Sequence, residues 1–534
     1  MDKTPRSVVP EAVAVVCALA TSFACTPAAP PDPETTGPPN IVYILADDLG
    51  YGELGAYGQE LIETPQIDQL ARSGLLFTQH YSGAPVCAPA RGVIMTGLHT
   101  GHAYIRGNDE WADRGDVWDF EKMAEDPNLE GQRPLPAGTL TLGRVLQDAG
   151  YDTGFVGKWG LGGPLTEGIP NEQGFDFFFG YNCQRQAHTY YPVHLWRNRD
   201  KVPLDNDMVP PHTPLDEGAD PNDPASYARY RLKEYAPDLL LDEALEFLGR
   251  ERTGPFFLYF ASPIPHLPLQ APEKWVRHYQ EKLGPEEPST AERYFPNQTP
   301  RATYAAMIST LDEQVGLLLQ KLEDLGVRDD TLVMFSSDNG PIWVELNWGG
   351  GDAALFDSAR PFRSDRGRGK GSVYEGGVRV PMIANWPGHI APETTTDHIS
   401  AFWDVLPTLA EVAGAPVPED IDGISFAPLL TGRPEAQKQH EFLYWEFPSY
   451  GGQQAVRLGR WKGIRGNIFE GNLDIELYDL DTDLREENDV SGERLEVGAR
   501  IEAIMKQERT PPAIERFRFE ALGDNQDPTT LPPR

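Results

Sequence analysis

From Asn40 onward, short unbroken apolar runs alternate with longer stretches in which apolar positions return every three or four residues. The run 41–45 is short enough for a buried strand. Residues 237–248 have helical periodicity and lead into a second apolar run, 256–261. Residues 302–325, closed by Gly326, lead into a third, 331–335. Two strand–helix–strand connections of this kind predict a sheet covered by helices on both faces. Between the periodic segments lie two long irregular ones, 109–136 and 200–224, rich in Asp, Pro and Gly. Loops of that length are either insertions that shape a substrate site or mobile surface. Past residue 430 the texture changes to short aromatic strands, expected at 442–447, 454–458, 461–464 and 476–480, followed by a helix at about 493–506. The segment beyond 511 is expected to be loosely ordered.

The amino terminus departs from this pattern. Lys3 and Arg6 precede an apolar run, 12–20, that ends in Ser22-Phe23-Ala24-Cys25. Residues 1–24 thus read as an export signal, too short for a permanent membrane span. Residues 25–39 read as a Pro-rich linker. Ordinary signal cleavage and lipoprotein processing with a lipid anchor at Cys25 both fit, and either places the protein in the periplasm or on the cell surface.

The chain has 534 residues, is 40% hydrophobic and carries a formal charge of −35. That charge excludes nucleic acid as a default partner and obliges any anionic substrate to meet a local basic pocket. Of four cysteines, Cys17 and Cys25 fall in the leader segment, leaving Cys87 and Cys183. Either these two form a disulfide or Cys87 has another use.

Cys87 opens the run Cys87-Ala88-Pro89-Ala90-Arg91. Pro89 suits the first turn of a helix, which Val93, Ile94 and Met95 continue, so Cys87 is expected at the positive end of the helix. Arg91 lies one turn further along the same face, able to reach an anion there. Asp47-Asp48 and Asp338-Asn339 each follow an apolar run, so both pairs are expected at the carboxyl ends of parallel strands, where open α/β sheets build their crevices. Their donors are all oxygens, which favours Ca²⁺ and admits Mg²⁺.

The stretch from Pro85 to Gly97 resembles the maturation and nucleophile signature of type I sulfatases of the alkaline-phosphatase superfamily. Gly157-Lys158-Trp159 is similar to the second signature of that family, and Lys370 to the lysine ahead of its Tyr-Glu-Gly-Gly run, here Tyr374 to Gly377. His266 stands where the family carries its leaving-group histidine, and Glu476-Leu477-Tyr478-Asp479-Leu480 is similar to a phrase of its C-terminal subdomain. The resemblance spans roughly residues 40–480. It implies an α/β fold with a large mixed, mostly parallel sheet sandwiched by helices in a catalytic domain at 40–430. It also implies a small C-terminal α+β subdomain with a four-stranded antiparallel sheet and a helix at 431–510, leaving 511–534 as tail.

The resemblance further implies hydrolysis of an aryl or carbohydrate sulfate by formylglycine, made from Cys87 by a formylglycine-generating maturation enzyme. Calcium would be held by Asp47, Asp48, Asp338, Asn339 and residue 87. Arg91, Lys158 and Lys370 would bind the sulfuryl oxygens, and His266, with Lys370, would protonate the leaving oxygen. One family residue is missing: Gly160 stands where a histidine usually follows Lys-Trp. His188 is the expected substitute, with His99 and His102 as further candidates. Two other readings remain open, a phosphonate monoester or phosphodiester hydrolase and an inactive surface protein that binds sulfated glycans. Trp111, Trp118, Tyr190, Tyr191 and Trp196 are expected either to line a sugar or aryl pocket or to pack locally.

Overall fold

The computed structural model describes residues 1–2 and 37–525, except 292, 344–348 and 366. Residues 3–24 of the expected export signal at 1–24, Cys25, most of the expected linker and residues 526–534 lie outside the described residues.

Ten strands form the main sheet in the spatial order Thr394–Thr396, Leu75–Phe77, Met382–Asn385, Thr331–Ser337, Asn40–Ala46, Phe256–Ala261, Asp152–Lys158, Phe177–Tyr181, His194–Arg197 and Asp200–Pro203. The central five, from Thr331–Ser337 to Phe177–Tyr181, run parallel. Antiparallel pairs flank them on both sides, making the sheet mixed. Strict alternation explains why it needs helices on both faces. Ile41, Tyr43 and Leu45 enter one apolar core with Val93 and Ile94, while Val42, Ile44 and Ala46 enter the other with Leu240 and Leu311.

The expected strand at 256–261 is observed at those bounds. The helix expected at 237–248 spans Ala236–Leu248, and that expected at 302–325 spans Pro300–Asp324, each with a proline in its first turn. The third run extends beyond 335 to Ser337, because Ser336 and Ser337 pair with Leu45 and Ala46. Register aligns the carboxyl ends of the central strands, since Ala46 also lies one step beyond the Leu45–Ala261 pair, and Ala261 pairs with Gly157.

The C-terminal subdomain is an antiparallel sheet of Leu443–Phe447, Gln453–Leu458, Trp461–Arg465 and Glu476–Asp479. The helix Leu495–Gln507 covers it through Ile501 and Met505. Residues 511–525 correct the expectation of a loose tail: Phe517 and Phe519 are buried, and Arg509 bonds both oxygens of Asp524. The irregular segments are also partly structured. Residues 109–136 contain the helix Phe120–Glu125, and 200–224 opens with an edge strand. Cys87 and Cys183 are both buried and free, so the disulfide reading fails; Cys183 packs with Phe120 and Met123 instead.

Candidate active site

Each central strand delivers a polar residue as its hydrogen-bond ladder ends. Beyond Ala46, the Asp47 N–H donates to the Ile264 carbonyl, and the Asp338 N–H donates to that of Ala46. Asp48 turns to φ +66°, a left-handed conformation that Asp tolerates better than most residues, and its N–H donates to Asp338 Oδ1 at 3.0 Å. The helix Cys87–Thr96 points its amino end at this edge and carries Arg91 one turn along. The loop bearing Lys370 is tied down on both sides: the Lys370 N–H donates to Pro341 O and the Gly371 N–H to Pro85 O. Tyr190 Oη lies 2.6 Å from the His266 carbonyl and holds the loop after Phe256–Ala261 in place.

Around Cys87 Sγ stand Asp47 Oδ1 at 3.5 Å, Lys370 Nζ at 3.5 Å and Lys158 Nζ at 3.6 Å. Lys158 also contacts Asp47 Oδ2 directly, and Lys370 Nζ lies 2.7 Å from Asp48. Arg91 spends its donors on the scaffold, with Nη2 2.8 Å from Asp338 Oδ2 and Nη1 2.5 Å from the Lys158 carbonyl. Three carboxylates and three cations are thus gathered in a charge-balanced cluster, buried except for the partly exposed Lys370, in which each group depends on its partners.

The protonation states follow from that balance. Burial opposes ionisation of Asp47, yet the cations Lys158, Arg91 and Lys370 together hold its carboxyl far below the usual range. Burial and the charge of Asp47 push Asp338 up to about 6, against the pull of Arg91. Burial raises the Cys87 thiol well above its ordinary value despite the two lysines. The unconverted side chain is therefore a neutral thiol, a poor nucleophile. Burial, then Lys370 and Lys158, keep His266 neutral. Its Nδ1–H donates to the Leu267 carbonyl at 2.6 Å, which leaves the Nε2 lone pair 3.6 Å from Asp48 Oδ2.

The donors present fit a hard cation. Asp47, Asp48, Cys87 and His266 each offer a ligand atom, all within 4.8 Å of one another. Asn339 is fully buried; its Nδ2 donates to Asp48 and Gly340, while its Oδ1 has no hydrogen-bond partner among the described residues. A buried amide oxygen without a donor is costly, and a cation beside the aspartates would satisfy it.

His188 joins the site. Its ring stacks on that of His266 with centroids 5.2 Å apart, and its buried Nδ1 has no hydrogen-bond partner among the described residues. Burial and the nearby Lys158 lower its pKa to about 3. His99 and His102 do not join it. Both contact Asp422 beyond the far end of the helix Cys87–Thr96, whose ten residues rise by about 15 Å. Gly160 adopts φ +86°, a backbone conformation that disfavours a side chain, while the 2.9 Å contact a Cβ would make is only with the flexible end of Gln184, Oε1.

Sequence reasoning missed His212 and Tyr294, whose rings lie 6.2 and 5.8 Å from that of His188. They come from aperiodic loops, and no local pattern marks them. The aromatics it singled out mostly pack locally: Tyr190 and Trp196 are buried, with Trp196 Nε1 donating to Glu130, and Trp111 lies under Arg114 and Arg133.

Comparison with known proteins agrees with this geometry. Residues 39–415 match the sulfatase family model, and residues 368–510 match the model described as N-sulphoglucosamine sulphohydrolase, C-terminal. Arylsulfatase A of Homo sapiens is 35% identical over 448 residues, covering 80% of this chain and 74% of the relative. N-acetylgalactosamine-6-sulfatase of Homo sapiens is 31% identical, covering 74% of this chain and 66% of the relative. Among solved structures, Ps i-CgsB in complex with k-i-k-neocarrahexaose superposes with a TM-score of 0.68 at 26% identity, covering 89% of this chain and 94% of that one.

Proposed function

This chain belongs to the sulfatase family and is a sulfuric ester hydrolase, and we propose that it cleaves an aryl or carbohydrate sulfate through Cys87 converted to formylglycine, beside calcium. The observation that carries this reading is the convergence of Asp47, Lys158 and Lys370 on Cys87 Sγ. A formylglycine-generating enzyme would supply the modification, whose hydrated aldehyde provides an oxygen nucleophile where the buried thiol is inert. Asp47, Asp48, Asp338 and Asn339 would hold calcium, with Mg²⁺ as the lesser fit, and the bound cation supplies positive charge beside residue 87.

The side chains divide the remaining work. Lys158 and Lys370 approach residue 87 from two sides and hold the sulfuryl oxygens, where burial makes each ammonium worth more than in water. Arg91, engaged with Asp338 and the Lys158 carbonyl, is a positioning residue that keeps the carboxylates and Lys158 in register. His266 moves a proton at Nε2. The negative charge of a bound ester offsets the lysines that keep the ring neutral, so binding favours the protonated ring that donates to the leaving oxygen. His188, stacked on His266 with its Nδ1 unpartnered among the described residues, is placed to accept the proton whose removal releases sulfate. Export to the periplasm or cell surface, with a lipid at Cys25 as one route, belongs to this proposal and rests on the leader residues.

The test is turnover by protein co-expressed with a formylglycine-generating enzyme. An aryl sulfate and an aryl phosphonate monoester are offered side by side, with Cys87→Ala as blank. Sulfate release that exceeds phosphonate cleavage and vanishes in the blank is expected. Dominant phosphonate cleavage would move the activity to the related hydrolases. Silence on both esters and on sulfated glycans would leave a binding protein.

A further inference from the structure

Lys370 lines a cleft of about 950 Å³ between the catalytic domain and the loops of the C-terminal sheet. Pockets for drug-sized ligands span roughly 300–1,000 Å³, so the cleft sits at the top of that range and has room for more than an aryl sulfate. Its charged residues are sorted. Lys370 and Arg293 belong to the catalytic end, Arg293 acting on His212, whose ring meets that of His188. On the wall made by the C-terminal subdomain, the ionisable residues are Asp474, Glu476 and Asp489. An exposed aromatic ring stands between the two ends. Tyr450 is 74% exposed, and a methyl group on Gly371, next to Lys370, would meet its ring at 3.0 Å.

The position of Tyr450 is built rather than incidental. It sits at φ +48°, a left-handed conformation that non-glycine residues rarely adopt, between the strands Leu443–Phe447 and Gln453–Leu458. Two neighbouring hairpin loops hold it there, with Phe469 N–H donating to Gly451 O at 3.0 Å and Ile468 N–H to Gly452 O at 3.2 Å. Gly451 permits this approach, since a Cβ on it would lie 2.8 Å from Asn467 Oδ1.

We infer that this cleft binds an oligosaccharide that carries its sulfate at the catalytic end and uncharged sugars beyond it, with Tyr450 as the platform on which the first uncharged ring stacks. The inference rests on the sulfatase reading and specifies its substrate. A pyranose ring presents a C–H face to an aromatic plane and hydroxyls at its rim, which suits a fixed, amphipathic tyrosine. The carboxylates select against a second sulfate. Successive sugars lie within the roughly 8 Å over which charges act at physiological ionic strength, so a sulfate on every unit would face repulsion along the wall.

Binding tests this independently of turnover. Titration calorimetry on the full chain carrying Cys87→Ala compares a neutral tetrasaccharide sulfated on one terminal unit with the same tetrasaccharide sulfated on every unit. The singly sulfated chain is expected to bind at least tenfold more tightly, and adding Tyr450→Ala to weaken it at least tenfold. Equal or tighter binding of the fully sulfated chain, or less than a twofold effect of Tyr450→Ala, overturns the inference. Turnover of an aryl sulfate by the mature wild-type enzyme is measured in parallel. Its absence alongside the expected binding pattern would overturn the catalytic reading and leave the cleft assignment standing.

Discussion

Lys370 Nζ lies 3.5 Å from Cys87 Sγ although 283 positions separate the two residues. The contact is possible because the Gly371 N–H donates to the Pro85 carbonyl, fastening the lysine loop to the turn that precedes the helix Cys87–Thr96. Lys370→Ala is therefore expected to lower kcat by about 10²–10³-fold, the usual effect of removing one donor from a developing oxyanion. Because the change leaves Asp48 short of a partner, thermal unfolding is followed in parallel. Near-normal kcat in a folded variant would remove Lys370 from the reaction.

Calcium is expected to stabilise the protein as well as support turnover. At a concentration about 100 times its Kd it adds about 2.7 kcal/mol, read as a rise in Tm over the chelator-treated sample. Asn339→Ala removes the amide oxygen that has no hydrogen-bond partner among the described residues and should shrink that rise. An unchanged Tm with and without calcium in the wild type would argue against the cation.

His188→Ala is expected to lower kcat by about 10²–10⁴-fold and KM with it, leaving kcat/KM nearly unchanged, as for a group that moves a proton only after the ester bond has been cleaved. Added imidazole should restore part of the rate. Multiple turnovers at wild-type speed would show that another group takes the proton.

Stability should depend on pH through His440. Burial disfavours its charged form, but Asp404, 2.8 Å from Nε2, outweighs that and raises its pKa. The folded state thus holds a proton that the unfolded state releases first. The stabilisation, about 2 kcal/mol for a charged hydrogen bond, is complete below the unfolded value of about 6.5 and is lost as pH rises through the raised folded value. His440→Gln should lower Tm clearly at pH 5.5 and progressively less toward pH 9. A constant difference across that range would exclude the charged pair.

The legibility of this site in the sequence follows from which signals are local. Strand ends are local. The run 41–46 and its neighbours stop at Asp47 and Asp338, and parallel register aligns those stops, so the carboxylate edge could be read in advance. The Cys87–Arg91 spacing is likewise a property of one helix. The partners of Arg91 were not local: its donors meet Asp338 and the Lys158 carbonyl, contacts set by how three strands and a helix pack.

Gly160 marks the same division. Its lack of a side chain is plain in the sequence, but the φ of +86° that disfavours one appears only in three dimensions. So does the choice among the histidines. His99, His102 and His188 are chemically alike, and only the direction of the helix Cys87–Thr96 and the path of the loop at 182–188 send one to the site and the others to Asp422.

By itself the sequence determined the alternation of strands and helices, the nucleophile motif and the acidic strand ends, because hydrophobic periodicity and helical spacing act over a few residues. The tertiary structure alone decided that His188, His212 and Tyr294 converge and that Tyr450 stands exposed beside Lys370. Those positions depend on how long aperiodic loops pack against one another, and no short-range pattern in the chain encodes that.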